Sequence, residues 1–486
     1  MDLDRLRAET PGTDHVLHFN NAGAALPPQP VLDAQVTHLE REATIGGYEA
    51  AAEAEGRLHH TYEAIAQMLG CAPDEVALLE NATRAWDMAF YGLSFAPGDR
   101  ILTSPSAYAS NHIACLQVAE RTGAAVEVLP HDEQGPVDVD ALRSAMDDDV
   151  ALIALTHVPT NGGLVNPAQE VGAVADDADV PFLLDACQSA GQMPLPVDEL
   201  GCTMLSATGR KYLRGPRGTG FLYVQDDWIE RIEPPLLDLH AATWTAPDEY
   251  EIHPDARRFE NWESHVAGQV ALGAAVDYAL DQGLDAIFDR NQHLAHALRT
   301  QLADVPGVTV HAQGRVRCGI TTFSAEQKDA STIQAALRTR DINTSVSPPS
   351  STRLDAEALF CNVSDAVDAE VLDASPDLAV VSTLSVGYDH IDVAAAEERE
   401  IELGHTPGVL METCADFAWA LMTAAARRVV EAHGTVTDGE WGAWGPTVLA
   451  GPDVHGGTLG VVGLGEIGTA VARRAAGFDM NVLYAH

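Results

Sequence analysis

The chain has 486 residues, of which 46% are hydrophobic, so it is long enough for two to four domains with buried cores. Its 72 acidic and 28 basic residues give a formal net charge of −44, which argues against nucleic acid or an anionic membrane as a partner. The acids are spread among apolar periodic segments, which excludes a disordered chain. An acid-rich, lysine-poor surface is typical of proteins in concentrated salt, and we therefore predict a halophilic cytoplasm.

The N-terminus and the cysteines also indicate the cytoplasm. The N-terminus, Met1–Arg5, is acidic and has no apolar core of a secretory signal. No apolar stretch approaches the roughly 20 residues that cross a bilayer. The seven cysteines are scattered, without a CxxC pair or histidines at ligand spacing. We predict a cytoplasmic protein with reduced thiols and no metal site.

The first half of the chain alternates helical and strand-like segments. Residues 32–70 have the apolar spacing of helices. Up to about residue 235, apolar strands then alternate with amphipathic helices, which is the βαβ pattern of a mostly parallel sheet. The predicted strands include Arg100–Thr103, Ala124–Leu129, Val150–Thr156 and Phe182–Asp185.

Asp185 ends one of these strands. A side chain at the carboxyl end of a strand points into the crevice where open α/β sheets bind ligands. Its carboxylate is suited to pair with the pyridinium nitrogen of pyridoxal 5'-phosphate (PLP), and Gln188, one helical turn on, could reach the ring hydroxyl. A helix N-cap is the alternative role for Asp185.

Lysine is almost absent, since Lys211 and Lys328 are the only two in the chain. Lys211 precedes the glycine-rich run Gly215–Gly220. Arginine cannot replace a lysine that must form a Schiff base, because the guanidinium stays protonated. We predict that Lys211 is the PLP lysine and the general base at Cα, the alternative being a stray surface lysine.

The next segment has the pattern of a smaller α+β domain. Residues 264–304 are predicted to form two long helices, and Ser331–Arg338 a third. Val308–Val310 and Gly319–Phe323 are strand-like. The pattern breaks after about Leu354.

Five motifs over about residues 15–354 resemble the class V aminotransferase family, which includes cysteine desulfurases and isopenicillin-N-epimerase-like enzymes. They are His18–Gly23, Asn81–Ala85, Thr156–Gly163, Asp185–Gln188 and Thr208–Lys211. The resemblance implies an α/β, fold-type-I PLP-dependent transferase. Such an enzyme has a large, mixed but mostly parallel sheet domain and a small α+β domain, which is truncated here. It also implies PLP as cofactor, an amino acid as substrate and a homodimer whose contact comes from Arg258–Ser264.

The family's site roles carry over by position. Ala82 and Thr83 would open a helix that holds the phosphate, as helix N-termini do for anions. Tyr108 would stack on the ring where many relatives have histidine, although a packed loop aromatic is the alternative. The other implied contacts are Thr160 or Asn161 near the ring hydroxyl, Thr208 and Arg210 at the phosphate, and Asn21 at the substrate.

Beyond Leu354 the family's strand with a carboxylate-gripping arginine is missing. The segments Leu378–Asp392 and Thr406–Leu410 instead resemble D-isomer-specific 2-hydroxyacid dehydrogenases, glyoxylate- and hydroxypyruvate-reductase-like, over about residues 356–486. In that family Val386 and Gly387 offer backbone amides to the substrate carboxylate.

A GxGxxG motif in Thr458–Gly468 follows a strand and opens a helix, the context of an NAD or NADP site. Gly463 would permit the turn, Gly465 would let backbone approach the pyrophosphate, and Gly468 would allow close helix packing. The catalytic arginine, glutamate and histidine of that family lie beyond residue 486. We therefore expect an incomplete Rossmann-type segment that is inactive as a dehydrogenase.

These observations predict four domains: 1–245 and 246–354 of the aminotransferase type, then 356–450 and 451–486 of the dehydrogenase type. The function they favour is a PLP-dependent enzyme acting at Cα of an amino acid. Two alternatives stay open, namely a catalytically dead fusion that at most binds cofactor and an NAD(P)-dependent D-2-hydroxyacid dehydrogenase. The sequence leaves open which amino acid is used and whether the chemistry is transamination, desulfuration, lysis or epimerisation.

Overall fold

The computed structural model describes residues 1–347, 358–361, 366–373, 378–383, 385, 387–399, 401–406, 410–443 and 445–485. The chain forms two units, Met1–Leu354 and Asp355–His486. In this described part, no helix is both long and apolar enough to span a bilayer.

The first unit alternates helices and strands over most of its length. Its helices are α1 (Leu3–Ala8), α2 (Gln29–Ile45), α3 (Gly47–Glu53), α4 (Glu55–Leu69), α5 (Ala82–Phe90), α6 (Ala109–Thr122), α7 (Val139–Ala145), α8 (Ala168–Asp177), α9 (Val197–Leu200), α10 (Asp226–Ile229), α11 (Val266–Gln282), α12 (Leu284–Ala303) and α13 (Ala330–Arg338). Its strands are β1 (Leu17–His18), β2 (Val76–Leu79), β3 (Arg100–Thr103), β4 (Ala125–Val128), β5 (Val150–Thr156), β6 (Phe182–Asp185), β7 (Met204–Thr208), β8 (Gly220–Val224), β9 (Ala242–Ala246), β10 (Glu249–Ile252), β11 (Val308–His311), β12 (Thr322–Ala325) and β13 (Ile342–Asn343).

A seven-stranded sheet in the order β2-β8-β7-β6-β5-β3-β4 forms the centre of this unit. Neighbouring strands from β7 to β4 are parallel, and β8 is antiparallel to both of its neighbours. Along β6, Phe182 and Leu184 pack into one apolar cluster and Leu183 into another, because successive side chains point to opposite faces. Helices therefore cover both faces, and the prediction of a mostly parallel sheet is confirmed.

The register of the central strands brings polar side chains together at one edge. Asp185, the last residue of β6, lies opposite Thr156 of β5 and Ser206 of β7. Since these three strands run parallel, their carboxyl ends open into a common crevice.

Within its described residues the first unit also contains three two-stranded sheets, one of which is the antiparallel hairpin of β9 and β10. Strands β11 and β12 pair antiparallel, whereas β1 and β13 pair parallel. The strand predicted at Gly319–Phe323 begins only at Thr322, because the backbone at 318–320 bonds to side chains of Arg299 and Gln192 instead of to a neighbouring strand.

The second unit has two parallel sheets. A three-stranded sheet joins β14 (Ala358–Cys361), β15 (Val380–Thr383) and β16 (Glu402–Gly404), and a two-stranded sheet joins β17 (Thr458–Val462) and β18 (Asn481–Ala485). The helices are α14 (Ala369–Asp373), α15 (Val393–Glu398), α16 (Met411–Ala426), α17 (Val429–Thr437) and α18 (Glu466–Arg474). Helix α18 follows β17 directly and packs on α16, where the indole of Trp419 donates a hydrogen bond to the carbonyl of Val471 (2.9 Å). The unit thus contains the strand–helix–strand arrangement that the glycine motif predicted.

Candidate active site

A cavity of about 150 Å³ lies at the carboxyl ends of β5, β6 and β7. It is lined by Asn81, Ala82, Thr83, Tyr108, Thr156, Val158, Thr160, Asp185, Cys187, Gln188, Thr208, Arg210 and Lys211. The lining combines one amine, one carboxylate, one guanidinium and the start of one helix. Residues far apart in the sequence therefore share one polar crevice.

Asp185 is a buried carboxylate held by neutral donors. Only 4% of the residue is exposed. Its Oδ2 accepts a hydrogen bond from Nδ2 of Asn111 (2.9 Å), and its Oδ1 accepts one from the backbone N–H of Cys187 (2.9 Å). These bonds fix the orientation of the carboxylate without cancelling its charge, so the charge is available to a cationic partner in the cavity.

Lys211 follows β7 in a tightly folded loop. The N–H of Gly209 donates to the carbonyl of Thr219 (3.0 Å), and the N–H of Gly215 donates to the carbonyl of Gly209 (2.8 Å). A Cβ at Gly209 would lie 2.3 Å from Oγ1 of Thr219, so the loop closes only around glycine there. The loop holds the lysine at the cavity wall on the same side of the sheet as Asp185.

The N-terminus of α5 forms another part of the wall. Asn81 caps the helix, with its Oδ1 accepting from the N–H of Arg84 (2.9 Å), while Ala82 and Thr83 line the cavity. A Cβ at Gly220 would lie 2.7 Å from the backbone of Asn81, so β8 and the start of α5 are in direct backbone contact. Free amides and the helix dipole make this end a site for an anion such as a phosphate.

Thr208 and Arg210 also line the cavity, but in the structure they bond to protein carbonyls. Oγ1 of Thr208 donates to Thr219 (3.2 Å), and Nη1 of Arg210 donates to Gly23 (2.7 Å). Arg210 thereby holds the segment that follows β1 against the cavity. Its proposed contact with a phosphate stays a prediction.

Gln188 provides a test of whether PLP suits this cavity. The residue is 2% exposed, its Nε2 donates to the carbonyl of Ala22 (3.1 Å), and its Oε1 has no partner within the described ranges. A buried unpaired amide oxygen costs free energy unless a ligand supplies a donor. The unpaired oxygen therefore indicates a polar ligand beside Gln188, and the amine, carboxylate and helix N-terminus of the cavity match the aldehyde, ring nitrogen and phosphate of PLP. The cavity therefore fits PLP.

Of the remaining predicted site residues, some line this cavity and others do not. Tyr108 lines the cavity, and its N–H donates to Oγ1 of Thr156 (3.1 Å). Thr160 also lines the cavity, whereas its neighbour Asn161 does not. Asn21 lines an adjacent cavity of about 570 Å³ beside the N-terminal segment.

Asn111 and Cys187 were not singled out from the sequence. Asn111 lies in the first turn of α6, and nothing in its neighbourhood marks it as a partner of Asp185. Cys187 lies two residues after Asp185, so its presence at the site was foreseeable from the strand end. Burial, and then the charge of Asp185, raises the pKa of the Cys187 thiol, which keeps the thiol protonated at neutral pH.

The glycines of the second unit have distinct environments. Gly463 has a φ of 86°, a left-handed conformation that favours glycine. A Cβ at Gly468 would lie 2.0 Å from the carbonyl oxygen of Gly463, whereas Gly465 faces open space. This is the geometry by which a glycine turn admits a pyrophosphate at a helix N-terminus. Gly387 is described in the structure, and Val386 lies outside the described residues.

Two kinds of family match the chain, and their ranges overlap over residues 320–357. The family described as aminotransferase class-V matches residues 17–357. The catalytic domain of D-isomer specific 2-hydroxyacid dehydrogenases matches residues 320–443, and their NAD binding domain matches residues 419–486.

Individual relatives repeat this division. A probable cysteine desulfurase of Methanothermobacter thermautotrophicus is 28% identical over 319 residues, which cover 65% of this chain and 79% of the relative. A glyoxylate reductase of Korarchaeum cryptofilum is 56% identical over 131 residues, or 27% of this chain and 40% of the relative. The chain thus spans about 40% of the length of the glyoxylate reductase that it matches.

Solved structures resemble the first unit. The apo structure of a cysteine desulfurase from Thermococcus onnurineus has a TM-score of 0.64 at 25% identity and covers 70% of this chain and 86% of its own. A cysteine desulfurase from Escherichia coli has a TM-score of 0.68 at 22% identity, covering 73% and 90%. These neighbours confirm the fold-type-I architecture.

Proposed function

Because this chain belongs to the class V aminotransferase family, we propose that Lys211 of its first unit binds PLP covalently and that the enzyme acts at Cα of an amino acid. The observation that carries this proposal is the shared cavity of Lys211 and Asp185. One of only two lysines in the chain faces a crevice that also contains a buried carboxylate and a helix N-terminus.

In this proposal, the position of each residue in the cavity determines its role. PLP, when bound, withdraws electrons from the Cα of the amino acid joined to it. Lys211 holds the cofactor and, once the substrate has displaced it, is placed to take and return the proton at Cα. Asp185 keeps the ring nitrogen protonated, and Asn111 orients that carboxylate. The amides of Ala82 and Thr83 hold the phosphate.

We also propose a homodimer. The segment Arg258–Ser264 is anchored where it begins, since Arg258 donates to the carbonyl of Ile229 (2.7 Å) and Glu260 is buried. Trp262, by contrast, is 57% exposed and available to a partner copy. Light scattering in molar salt that gives a monomer with full PLP occupancy would contradict this proposal.

For the second unit we propose nucleotide binding at Gly463, Gly465 and Gly468. The NAD binding match and the geometry of Gly463 and Gly468 support it. The nucleotide in this proposal is NAD or NADP. The proposal also includes Val386 and Gly387 as residues that contact the carboxylate of a substrate. We further propose divisions near residues 245 and 450 within the two units, and a cytoplasm of high salt as the compartment.

The scarcity of lysine makes the decisive experiment simple. The purified full chain is loaded with PLP, reduced with borohydride, digested and mapped by mass spectrometry. We expect the cofactor mass on the peptide that contains Lys211. Lys211→Arg should lose both the label and the visible absorbance of the bound cofactor, whereas Lys328→Arg, a matched change at an exposed lysine, should keep both. A label on Lys328 would refute the assignment.

A further inference from the structure

Arg299 is a buried cation that forms no ion pair with a carboxylate among the described residues. It lies on α12 and is 8% exposed. Its Nη2 donates to the carbonyls of Cys318 (2.7 Å) and Ile320 (2.6 Å), and its Nε has no hydrogen-bond partner in the part of the chain that the structure describes. Burying a charge without a counter-ion costs several kcal/mol. The chain has 72 acidic residues, yet this arginine binds two backbone carbonyls. This choice of partners indicates that the arginine serves to hold those carbonyls in place.

The segment that Arg299 holds, Cys318–Thr322, is bonded to one wall of the candidate active site. The N–H of Cys318 donates to the carbonyl of Gly163 (2.8 Å), and Oγ1 of Thr322 accepts from the N–H of Gly162 (3.1 Å). A Cβ at Gly163 would lie 2.4 Å from the carbonyl oxygen of Ile320 and 2.6 Å from Nη2 of Arg299. The loop that begins at Thr160 therefore rests directly on the guanidinium and its two acceptors.

The same segment is bonded to a second wall. The N–H of Gly319 donates to Oε1 of Gln192 (2.6 Å), and Nε2 of Gln192 donates to the carbonyl of Gln188 (2.7 Å). Gln192 is fully buried, so this relay has no water to replace it. The segment Cys318–Thr322 thus touches the loop that carries Thr160 and the turn that carries Gln188, both of which line the cavity.

We infer that Arg299 is a positioning residue of the cofactor site, which holds the segment Cys318–Thr322 so that Thr160 and Gln188 keep the spacing that PLP requires. The inference rests on the proposed function, because it takes the cavity to be the PLP site. Arg299 touches no cofactor atom in this scheme. It acts through backbone carbonyls, and its removal would loosen two walls of the cavity at once.

Titration of PLP into the cofactor-free full chain tests this inference through the visible absorbance of the bound cofactor. We expect Arg299→Met to raise the dissociation constant about tenfold, since distant supporting residues change coupling on that scale. Arg290→Met is the matched control, because Arg290 lies on the same helix but lines the neighbouring cavity, and its buried Nε also has no hydrogen-bond partner among the residues that are described. Its dissociation constant should equal that of the wild type.

Two further variants keep the test independent of a folding defect. Thr322→Val is isosteric and removes only the acceptor of the Gly162 N–H, and it should raise the dissociation constant about threefold. In Arg299→Ala, millimolar methylguanidinium should restore PLP affinity, which a general loss of stability would not allow. Wild-type affinity in both Arg299→Met and Thr322→Val would overturn the inference, as would equal losses in Arg299→Met and Arg290→Met. Failure of the wild type to bind PLP would instead refute the proposed function.

Discussion

At the scale of single residues, the site is defined by the charges that are left unpaired. Asp185 accepts hydrogen bonds from Asn111 and from a backbone N–H, but no cationic side chain forms an ion pair with it in the described ranges. Most of the acidic side chains that do pair with arginine lie at the surface. The carboxylate in the cavity therefore keeps its full electrostatic effect for a ligand.

The charge of Asp185 can be removed with little change of shape. We expect Asp185→Asn to retain PLP but to slow the exchange of the Cα hydrogen of a bound amino acid by 100- to 1,000-fold. The loss of a charge-stabilising contact costs on the order of 3–4 kcal/mol in the transition state. Proton exchange in D₂O, followed by NMR, measures this rate.

Asn111→Ala is the control for that experiment. It removes one neutral donor to Asp185 and leaves the charge, so a loss of about fivefold is expected from a bond worth about 1 kcal/mol. Equal rates in Asp185→Asn and the wild type would exclude the proposed role of the carboxylate.

The buried carboxylate of Glu260 joins helix α4, strand β2 and the loop that precedes β9. Its Oε1 accepts from the N–H of Leu78 (2.7 Å), and its Oε2 is 2.7 Å from Nε2 of His240. The hydroxyl of Tyr62 donates to both oxygens (2.9 and 3.1 Å). The hydrogen bond to Glu260 raises the pKa of His240 above its ordinary value.

This pair predicts a pH-dependent stability. Because the folded-state pKa of His240 is raised, its contribution is fully present below the unfolded pKa of about 6.5 and is lost as pH rises through the folded pKa. The difference in melting temperature between the wild type and His240→Gln should therefore be largest at low pH and shrink towards alkaline pH. Asp238 and Arg257 also interact with His240, and the separate pair of His60 and Asp277 adds a pH dependence of its own. The quantity to measure is therefore the difference in melting temperature between the wild type and His240→Gln. A constant difference from pH 5 to pH 9 would contradict the assignment.

The residue types of the site were predictable, but their neighbours were not. Lys211 and Asp185 stand out because few side chains can do their chemistry. Asp185 ends a predicted strand, and Lys211 precedes a glycine-rich run and is one of only two lysines. Asn111 and Arg299 act through contacts with residues 74 and 19 positions away, Asp185 and Cys318 respectively. Such contacts depend on how strands are ordered in the sheet, which local patterns do not contain.

At the scale of elements, the buried strands could be predicted from the sequence and the exposed strands could not. Strands β3, β5 and β6 have the predicted bounds because continuous apolar runs mark buried parallel strands. The hairpin of β9 and β10 was missed, since its residues are mostly exposed and polar. Helix α11 packs against α2 and α4, and its Ala271 and Ala275 form an apolar cluster with Val31 of α2. The helical period of these segments was predictable from the sequence.

Gly220 shows how one strand sets the position of a helix. A Cβ there would lie 2.7 Å from the carbonyl carbon of Asn81 and 2.7 Å from the carbonyl oxygen of Ala207, and backbone atoms cannot move aside cheaply. We expect Gly220→Ala to cost about 1–3 kcal/mol in unfolding free energy and to weaken PLP binding, because the start of α5 must shift. Urea denaturation and PLP titration measure the two effects.

Gly218→Ala is a suitable control for Gly220→Ala. Gly218 lies two residues earlier, in the loop that precedes β8, with nothing within 4 Å of its Cβ position, although its φ of 77° adds backbone strain. It should lose stability without losing PLP affinity in proportion. Unchanged PLP affinity in Gly220→Ala would show that the helix start does not hold the phosphate.

At the scale of the whole molecule, repulsion between like charges dominates. The chain carries an excess of acids that gives a net charge of −44. Most of its ion pairs lie at the surface, where each contributes about 0–1 kcal/mol. The structure places acidic clusters such as Asp147, Asp148 and Asp149 on exposed turns. Folding brings these charges closer together, so low salt should destabilise the native state.

We therefore expect the melting temperature to rise as KCl is increased from 0.1 M to 2 M. The Debye length falls from about 10 Å at 0.1 M to about 3 Å at 1 M, which screens repulsion between exposed acids first. Differential scanning calorimetry of the full chain at fixed pH measures this dependence. A melting temperature that stays flat or falls over this range would contradict the prediction of a protein adapted to salt.

Two neighbouring substitutions separate charge repulsion from general effects of salt. Asp147 is 2.8 Å from Arg100, whereas Asp148 is exposed and forms no ion pair in the structure as described. Asp148→Asn should raise the stability in 0.1 M KCl and have no effect in 2 M KCl, because it removes only screened repulsion. Asp147→Asn should lower the stability in 0.1 M KCl, since it breaks an attractive pair. If both variants shift the unfolding midpoint in the same direction at low salt, preferential hydration rather than screening governs the response of this chain to salt.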